Sequence, residues 1–110
     1  MSTLKNKVQL IGNVGNDPEI KNFEGGKKLA NITLATNESY RNEKGDKVEE
    51  TQWHRLTAWG KTAEIIEKYV TKGKEIAIEG KLTHRSYDDK NGEKRYVTEV
   101  VINELVMLGK

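Results

Sequence analysis

The chain has 110 residues, of which 33% are charged, and its formal net charge is +2. Domains cluster at roughly 100–150 residues, so residues 1–110 are predicted to form one domain. No apolar run approaches the ~18 residues of a membrane span, and the start lacks the apolar core of a signal peptide. Cysteine is absent, which excludes disulfides and thiolate chemistry, and the cytoplasm is the expected compartment.

Five stretches rich in apolar and alternating residues predict strands, over 6–14, 29–36, 49–59, 75–83 and 95–106. A shorter stretch, 20–23, leads into a hairpin loop that contains two glycines. Charged loop tips are predicted at 43–47 and 88–92, the second carrying Asn91-Gly92, a strong turn signal.

A helix is predicted over 63–70. Ala63, Ile66 and Val70 share one face at helical spacing. Thr62 is the expected N-cap residue and Gly73 suits the end of the helix. The helix therefore lies between the third and fourth predicted strands.

This order of elements predicts an all-β fold, a five-stranded barrel with one short helix, of the OB type. Gly12, Gly60 and Gly80 lie where strands of a barrel would bend, and Gly12 also suggests a bulge or a close backbone approach. An open α+β sheet is the alternative.

The sequence offers no catalytic set. His54 lies mid-strand on the face of Leu56 and is expected to be structural, and His84 lies near a hairpin and is expected to be solvated. Asp88-Asp89 could hold a cation, but a solvated turn is the simpler interpretation. No phosphate-loop, nucleophile-elbow or zinc-protease motif occurs. We therefore predict no enzyme, no cofactor and no metal site.

The strand over 49–59 is the most informative element. Residues two apart share a face, so Leu56 and Ala58 mark the core face, while Trp53, Arg55 and Trp59 lie together on the other face. Exposed rings interleaved with a cation form a stacking platform for nucleic-acid bases. Burial of either tryptophan under the helix or a loop is the alternative.

The remaining aromatic and basic residues are less specific. Tyr40 and Tyr87 lie at loop bases, and Tyr69 and Tyr96 are assigned to packing. Five lysines occur between positions 61 and 81, but glutamates are interspersed among them. That stretch is either a solvated mixed surface or a track for phosphates.

Taken together, these residues resemble the bacterial single-stranded-DNA-binding proteins of the OB fold. The matching segments follow the order of that family over nearly the whole chain: NKV at 6–8, GNVGNDPE at 12–19, ANITLAT at 30–36, WHR at 53–55, GK at 60–61, AE at 63–64, KG at 72–73, IEG at 78–80 and TEVV at 98–101. Together they are specific, although each alone would be weak.

The resemblance implies sequence-independent binding and protection of single-stranded DNA in replication, recombination and repair, without catalysis, near the nucleoid. It implies base stacking at Tyr40, Trp53, Trp59 and Tyr87, and phosphate contacts at Arg55, Lys61, Lys72 and Arg85. It also implies a homotetramer with subunit contacts at Lys7, Val8, Leu10 and His54.

The resemblance has one departure. Members typically carry a flexible tail with an acidic tip that recruits replication and repair proteins, whereas this chain ends at residue 110. Replication and repair proteins are kept as candidate partners, although the tail motif that would recruit them is missing from these 110 residues. Two other functions remain as alternatives: a dimeric primosome-type OB adaptor, and an OB domain whose exposed rings bind a polypeptide.

Overall fold

The strands of this protein close into a barrel. The computed structural model describes residues 5–108, which form six strands, one α-helix and a 3₁₀ turn at Glu24–Gly26. In chain order the strands and the helix are β1 (Val8–Val14), β2 (Glu19–Asn22), β3 (Lys28–Arg41), β4 (Lys47–Trp59), α1 (Gly60–Tyr69), β5 (Glu75–Asp88) and β6 (Lys94–Met107).

Five of the strands form the barrel wall. Their order is β1-β5-β6-β4-β3, and a second pairing between β1 and β3 closes the ring. That closing ladder joins Asn13 to Ala35 and Val14 to Leu34. β4 and β6 run parallel, and the other pairings are antiparallel. The predicted OB-type barrel is therefore confirmed, and the open-sheet alternative is wrong.

β2 is an additional strand outside the predicted five. Its four residues pair with the start of β3, from Glu19 opposite Asn31 to Asn22 opposite Lys28. β2 adds one strand before the helix, so α1 follows the fourth strand of the chain, β4. Among the five barrel strands, α1 still lies between the third, β4, and the fourth, β5. β2 has four residues and one apolar side chain, which is too little alternation for a strand to be predicted from the sequence.

The helix begins earlier than predicted. It starts at Gly60, directly after β4, and Trp59 occupies the N-cap position without a side-chain hydrogen bond. The prediction of Thr62 as the N-cap is therefore wrong. Gly60 has φ 62°, a conformation that glycine adopts at little cost, and this allows the chain to turn from strand into helix.

Aliphatic side chains fill the barrel. The buried cluster contains Val14, Ala30, Ile32, Leu34, Leu56, Ala58, Ala63, Ile66, Val70, Ile76, Ile78, Val100 and Ile102. It includes the predicted apolar face of the helix, which packs against β3, β4 and β6. Tyr69 and Tyr96 lie outside it, 58% and 77% exposed, so the prediction that they contribute to packing is wrong.

Two glycines allow strands to approach closely. A Cβ atom on Gly12 would lie 2.1 Å from the carbonyl oxygen of Ala35, and one on Gly80 would lie 2.2 Å from that of Val101. The β5–β6 register also shifts at Gly80. The close backbone approach predicted at Gly12 is confirmed, and it explains how β1 reaches β3 to close the barrel.

Candidate nucleic-acid interface

The outer face of β4 carries two large rings. Trp53 and Trp59 are 63% and 48% exposed, whereas Leu56 and Ala58 on the opposite face are buried. The predicted division of this strand into a core face and an outer face is confirmed, and neither indole is buried. The six residue steps between the tryptophans span about 20 Å.

Trp53 lies against the corner between β1 and β2. A Cβ atom on Gly15 would come within 2.4 Å of Cζ3 of the indole, so only glycine leaves room for the ring there. The adjacent Asn16 accepts two hydrogen bonds at Oδ1, from the Thr33 backbone N–H at 2.8 Å and from the Thr33 hydroxyl at 2.7 Å. These bonds hold the corner and thereby support one side of the Trp53 ring.

Trp59 is paired with another aromatic ring. The centroid of Phe23 lies 6.1 Å from that of Trp59, and the ring planes are inclined by 30°. Phe23 is itself 47% exposed. The sequence indicates no role for Phe23 because it lies beside a short, poorly alternating strand, although an aromatic residue next to a polar loop is a visible signal.

A groove of about 330 Å³ lies on the same outer face. Its lining comes from β2, β3, β4, β5, β6 and the β1–β2 turn, and comprises Asn16, Glu19, Asn31, Ile32, Thr33, Arg55, Leu56, Arg85 and Glu99. Two arginines and two glutamates therefore line a single groove. Its charge is balanced rather than uniformly basic, in keeping with the low net charge of the chain.

Glu99 organises one side of this groove. The side chain of Glu99 is 12% exposed. It accepts a hydrogen bond from Arg85 Nε at 3.0 Å and another from the Thr57 hydroxyl at 3.0 Å. Only one of the five N–H donors of Arg85 is engaged in this bond. Glu99 was not predicted as a site residue, and its one signal in the sequence is its position within the family-like TEVV segment.

Tyr87 extends the outer face, and Tyr40 does not. Tyr87 is 46% exposed and lies two residues beyond Arg85 on β5, so the two share a face. On β3, Ala35 pairs with Trp53, and Tyr40 lies five residues further along. This odd offset places the 51%-exposed Tyr40 on the opposite face of the β3–β4 arm, which is the hairpin formed by the end of β3 and the start of β4.

The two predicted lysine contacts lie at the margins of this surface. Lys61 is exposed in the first turn of α1, two residues after Trp59. Lys72 is exposed in the loop after α1, and its backbone N–H donates to Oδ1 of Asp17 at 3.0 Å. That bond ties Lys72 to the turn that also contains the groove residue Asn16.

The predicted subunit contacts on β1 lie at an open strand edge. β1 pairs with β5 from Val8 onward, but its ladder with β3 includes only Asn13 and Val14. Leu10, like Val8, is half-buried against the core. Lys7 precedes the strand and forms an ion pair with Glu79 at 3.5 Å.

An apolar row continues beside this edge. Ile11 is 61% exposed and pairs with Ala77, which in turn pairs with Val106, itself 57% exposed. Ile11 was not predicted as an exposed residue, although the consecutive apolar residues Leu10 and Ile11 must lie on opposite faces of a strand.

The histidines form hydrogen bonds to threonines. Nε2 of His54 lies 3.0 Å from the Thr36 hydroxyl in a half-buried position, and Nδ1 of His84 lies 2.9 Å from the Thr98 hydroxyl. Within residues 5–108, no cluster of three or more His, Asp or Glu side chains could hold a metal ion. In the same range, no helix has the length and apolarity needed to cross a membrane.

Asp89 forms a turn at the β5–β6 tip. Its carboxylate accepts hydrogen bonds from Arg95 Nε at 2.8 Å and from the backbone N–H groups of Glu93 and Asn91 at 3.0 and 2.9 Å. The bond from Arg95, followed by those from Glu93 and Asn91, lowers the pKa of Asp89 below its ordinary value.

The closed barrel, the inserted helix and the exposed ring-bearing face define an OB-fold protein, a class whose barrels bind oligonucleotides and oligosaccharides. The sequence model of the single-strand binding protein family matches residues 5–108. The chain therefore belongs to this family, whose members are binding proteins.

Individual relatives agree with this assignment. Single-stranded DNA-binding protein 1 of Chlorobaculum tepidum is 49% identical over 105 residues, which cover 94% of this chain and 65% of the relative. A Plasmodium falciparum SSB in complex with ssDNA is 32% identical, with a TM-score of 0.89 and 99% of each chain covered.

A third comparison covers part of a longer protein. A deletion mutant of the Thermus aquaticus single-stranded DNA binding protein is 30% identical, with a TM-score of 0.82, covering 94% of this chain and 50% of that one. This chain thus spans about two thirds of its curated bacterial relative and half of the Thermus protein.

Proposed function

We propose that this protein binds single-stranded DNA without sequence preference and protects it during replication, recombination and repair. The observation that carries the proposal is the exposed row of Trp53, Arg55 and Trp59 on the outer face of β4. The resemblance of the barrel to one solved with ssDNA bound supports it.

The proposed mechanism is equilibrium binding, without a chemical reaction. Bases stack on exposed rings, each contributing ~1–3 kcal/mol. We assign the stacking positions to Trp53, Trp59, Tyr87 and Tyr40. Because a duplex keeps its base faces inside the stack, ring stacking selects single strands.

Phosphate contacts in this mechanism fall to Arg55 and Arg85 along the groove and to Lys61 and Lys72 at its margins. Neutralised phosphates release counterions, so binding weakens as salt rises. With the groove charge partly balanced by Glu19 and Glu99, we expect a shallower salt dependence than that of a uniformly basic binder. Tyr40 lies on the far face of the β3–β4 arm, so it would contact the DNA only where the DNA wraps over that arm.

We further propose that the protein acts as a homotetramer. Within residues 5–108, the edge of β1 before Asn13 has no second strand beside it, so it offers backbone groups to a second copy, with contacts at Lys7, Val8 and Leu10. We add His54 to this interface. The exposed apolar row that contains Ile11 and Val106 gives a second surface for burial between copies. Residues 1–110 would serve as the DNA-binding domain, working in the cytoplasm on the DNA of the nucleoid.

The test is a competition experiment. Labelled oligo-dT binding is followed by fluorescence anisotropy at physiological salt, and unlabelled single strands of varied sequence or duplex DNA are added. The proposal expects every single strand to compete and duplex DNA to fail. Absence of binding, or equal competition by duplex DNA, would overturn it and would favour a polypeptide as the ligand of the exposed rings.

A further inference from the structure

Phe23 has no place in the proposed mechanism. It directly follows β2 at the base of the loop to β3, and 47% of its surface is exposed. Its contact with Trp59 leaves both rings about half in water. Two large rings held together on a polar surface indicate an interaction site.

An open surface cavity of about 490 Å³ lies beside Trp59, one member of this pair. It is lined by Gly26, Lys27, Lys28, Trp59 and Gly60. Gly26 and Gly60 have φ of 80° and 62°, and a Cβ atom on either would meet nothing within 4 Å. Ligand pockets have volumes of about 300–1,000 Å³, so there is room for a nucleobase to lie on this open surface.

The charges around the cavity suit a nucleotide. Lys27 is exposed at its margin, and Lys61 is exposed in the adjoining turn of α1. Lys28 forms an ion pair with Glu67 of α1, which neutralises that carboxylate. Glu24, on the 3₁₀ turn, is the acidic residue of this loop.

We propose that Phe23 and the cavity add a base-binding position next to the stacking position already assigned to Trp59, in which a base contacts the Phe23–Trp59 pair and Lys27 contacts its phosphate. The occupant is a base of the same DNA strand that binds along β4, because Trp59 belongs to the same outer face as Trp53 and Arg55. After about 20 Å along that face, the strand continues beyond Trp59 onto the β2–β3 loop. This inference rests on the proposed single-stranded DNA binding.

Two substitutions at Phe23 separate stacking from packing. Phe23→Leu keeps apolar bulk against Trp59 but removes the aromatic face, whereas Phe23→Tyr retains that face. Stacking of one base corresponds to roughly 5- to 150-fold in affinity. We expect Phe23→Leu to weaken oligo-dT binding at least 5-fold with an unchanged salt slope, and Phe23→Tyr to bind like the wild type.

A third substitution tests the phosphate contact. Lys27→Ala should lower the slope of log affinity against log salt by ~0.7, the value for one phosphate on a single strand. Tyr69→Leu, which removes an exposed ring from α1, is the matched control for Phe23→Leu and should leave the affinity for oligo-dT unchanged.

The outcomes separate this inference from the function on which it rests. Wild-type binding with an unaltered Phe23→Leu affinity would overturn the additional position alone. A parallel loss in Phe23→Tyr would also overturn it, because packing rather than stacking would then be the cause. Failure of the wild type to bind oligo-dT would overturn both.

Discussion

At the scale of single residues, the account concentrates binding free energy in exposed rings. Trp53→Ala should weaken oligo-dT binding by ~1–3 kcal/mol, because it removes one stacking face. The ring lies outside the buried core and rests on Gly15, so the melting temperature should change little. Titration calorimetry measures the loss, with Tyr96→Ala, a 77%-exposed ring on β6, as the control.

An unchanged affinity in Trp53→Ala, with assembly intact, would contradict the stacking role of this residue. An equal loss in Tyr96→Ala would indicate that any exposed ring contributes, and would remove the distinction between the outer face and the rest of the surface.

Glu99 makes a second prediction at this scale. Its carboxylate is paired with Arg85 and places a negative charge in the groove. Glu99→Gln keeps an acceptor for the Thr57 hydroxyl but removes the charge, so phosphates no longer compete with a carboxylate for the guanidinium. We expect tighter binding by a few-fold and a salt slope steeper by up to ~0.7.

Salt-dependent anisotropy with oligo-dT measures both quantities for Glu99→Gln. Weaker binding of this variant would contradict the prediction and would mean that the carboxylate serves chiefly to orient Arg85. Glu93→Gln, an exposed carboxylate of the β5–β6 tip, controls for the change in net charge.

At the scale of elements, the β5–β6 tip depends on the ionised form of Asp89. The pKa of Asp89 is lowered in the folded chain, first by Arg95 and then by the Glu93 and Asn91 N–H groups. Because the pKa of Asp89 is lower in the folded chain than the unfolded value of about 3.9, its carboxylate stabilises the folded tip at pH values above about 3.9. This stabilisation is lost as the pH falls through the folded pKa.

We therefore expect the tip to loosen only in acid, below about pH 4. Amide proton exchange at Asn91 and Glu93, followed by NMR against pH, measures this loosening. Asp89→Asn should show faster exchange already at neutral pH and a flatter profile. Equal pH profiles for the wild type and the variant would contradict the role of the carboxylate.

Much of the element pattern could be predicted from the sequence. The core halves of the strands are marked by apolar alternation, as at Leu56 and Ala58, and the helix face is marked by its spacing. The outer arms of β3 and β5 extend past residues 36 and 83 without such a signal, because their residues are mostly exposed. Pairing with the neighbouring strand determines those extensions.

The candidate site was predictable to a similar extent. Period-two alternation separates Trp53 and Trp59 from the core within one strand. Contacts that join distant segments leave no local pattern, and both Phe23 with Trp59 and Glu99 with Arg85 are of this kind. The assignment of the individual contact residues to bases and phosphates stays a prediction.

At the scale of the whole molecule, the account predicts an assembly that depends on β1 and its surroundings. His54→Ala removes the ring that lies 3.0 Å from the Thr36 hydroxyl. We expect it to weaken assembly more than DNA contact, raising the concentration at which the tetramer dissociates at least 10-fold, about 1.4 kcal/mol. Sedimentation velocity across a dilution series measures this concentration.

The matched control for assembly is His84→Ala, which alters the other histidine of the chain, located on β5. A His54→Ala tetramer that remains intact at nanomolar concentration would contradict the interface role. A wild-type chain that sediments as a dimer would favour the adaptor type of OB protein instead.

Tryptophan fluorescence during titration with oligo-dT tests whether bases stack on the exposed face of β4. The chain has two tryptophans, and both lie exposed on the proposed binding face, so the emission reports on that face alone. We expect strong quenching by oligo-dT that persists as salt is raised, and no quenching by duplex DNA. Unchanged emission at micromolar protein and saturating oligo-dT would contradict it.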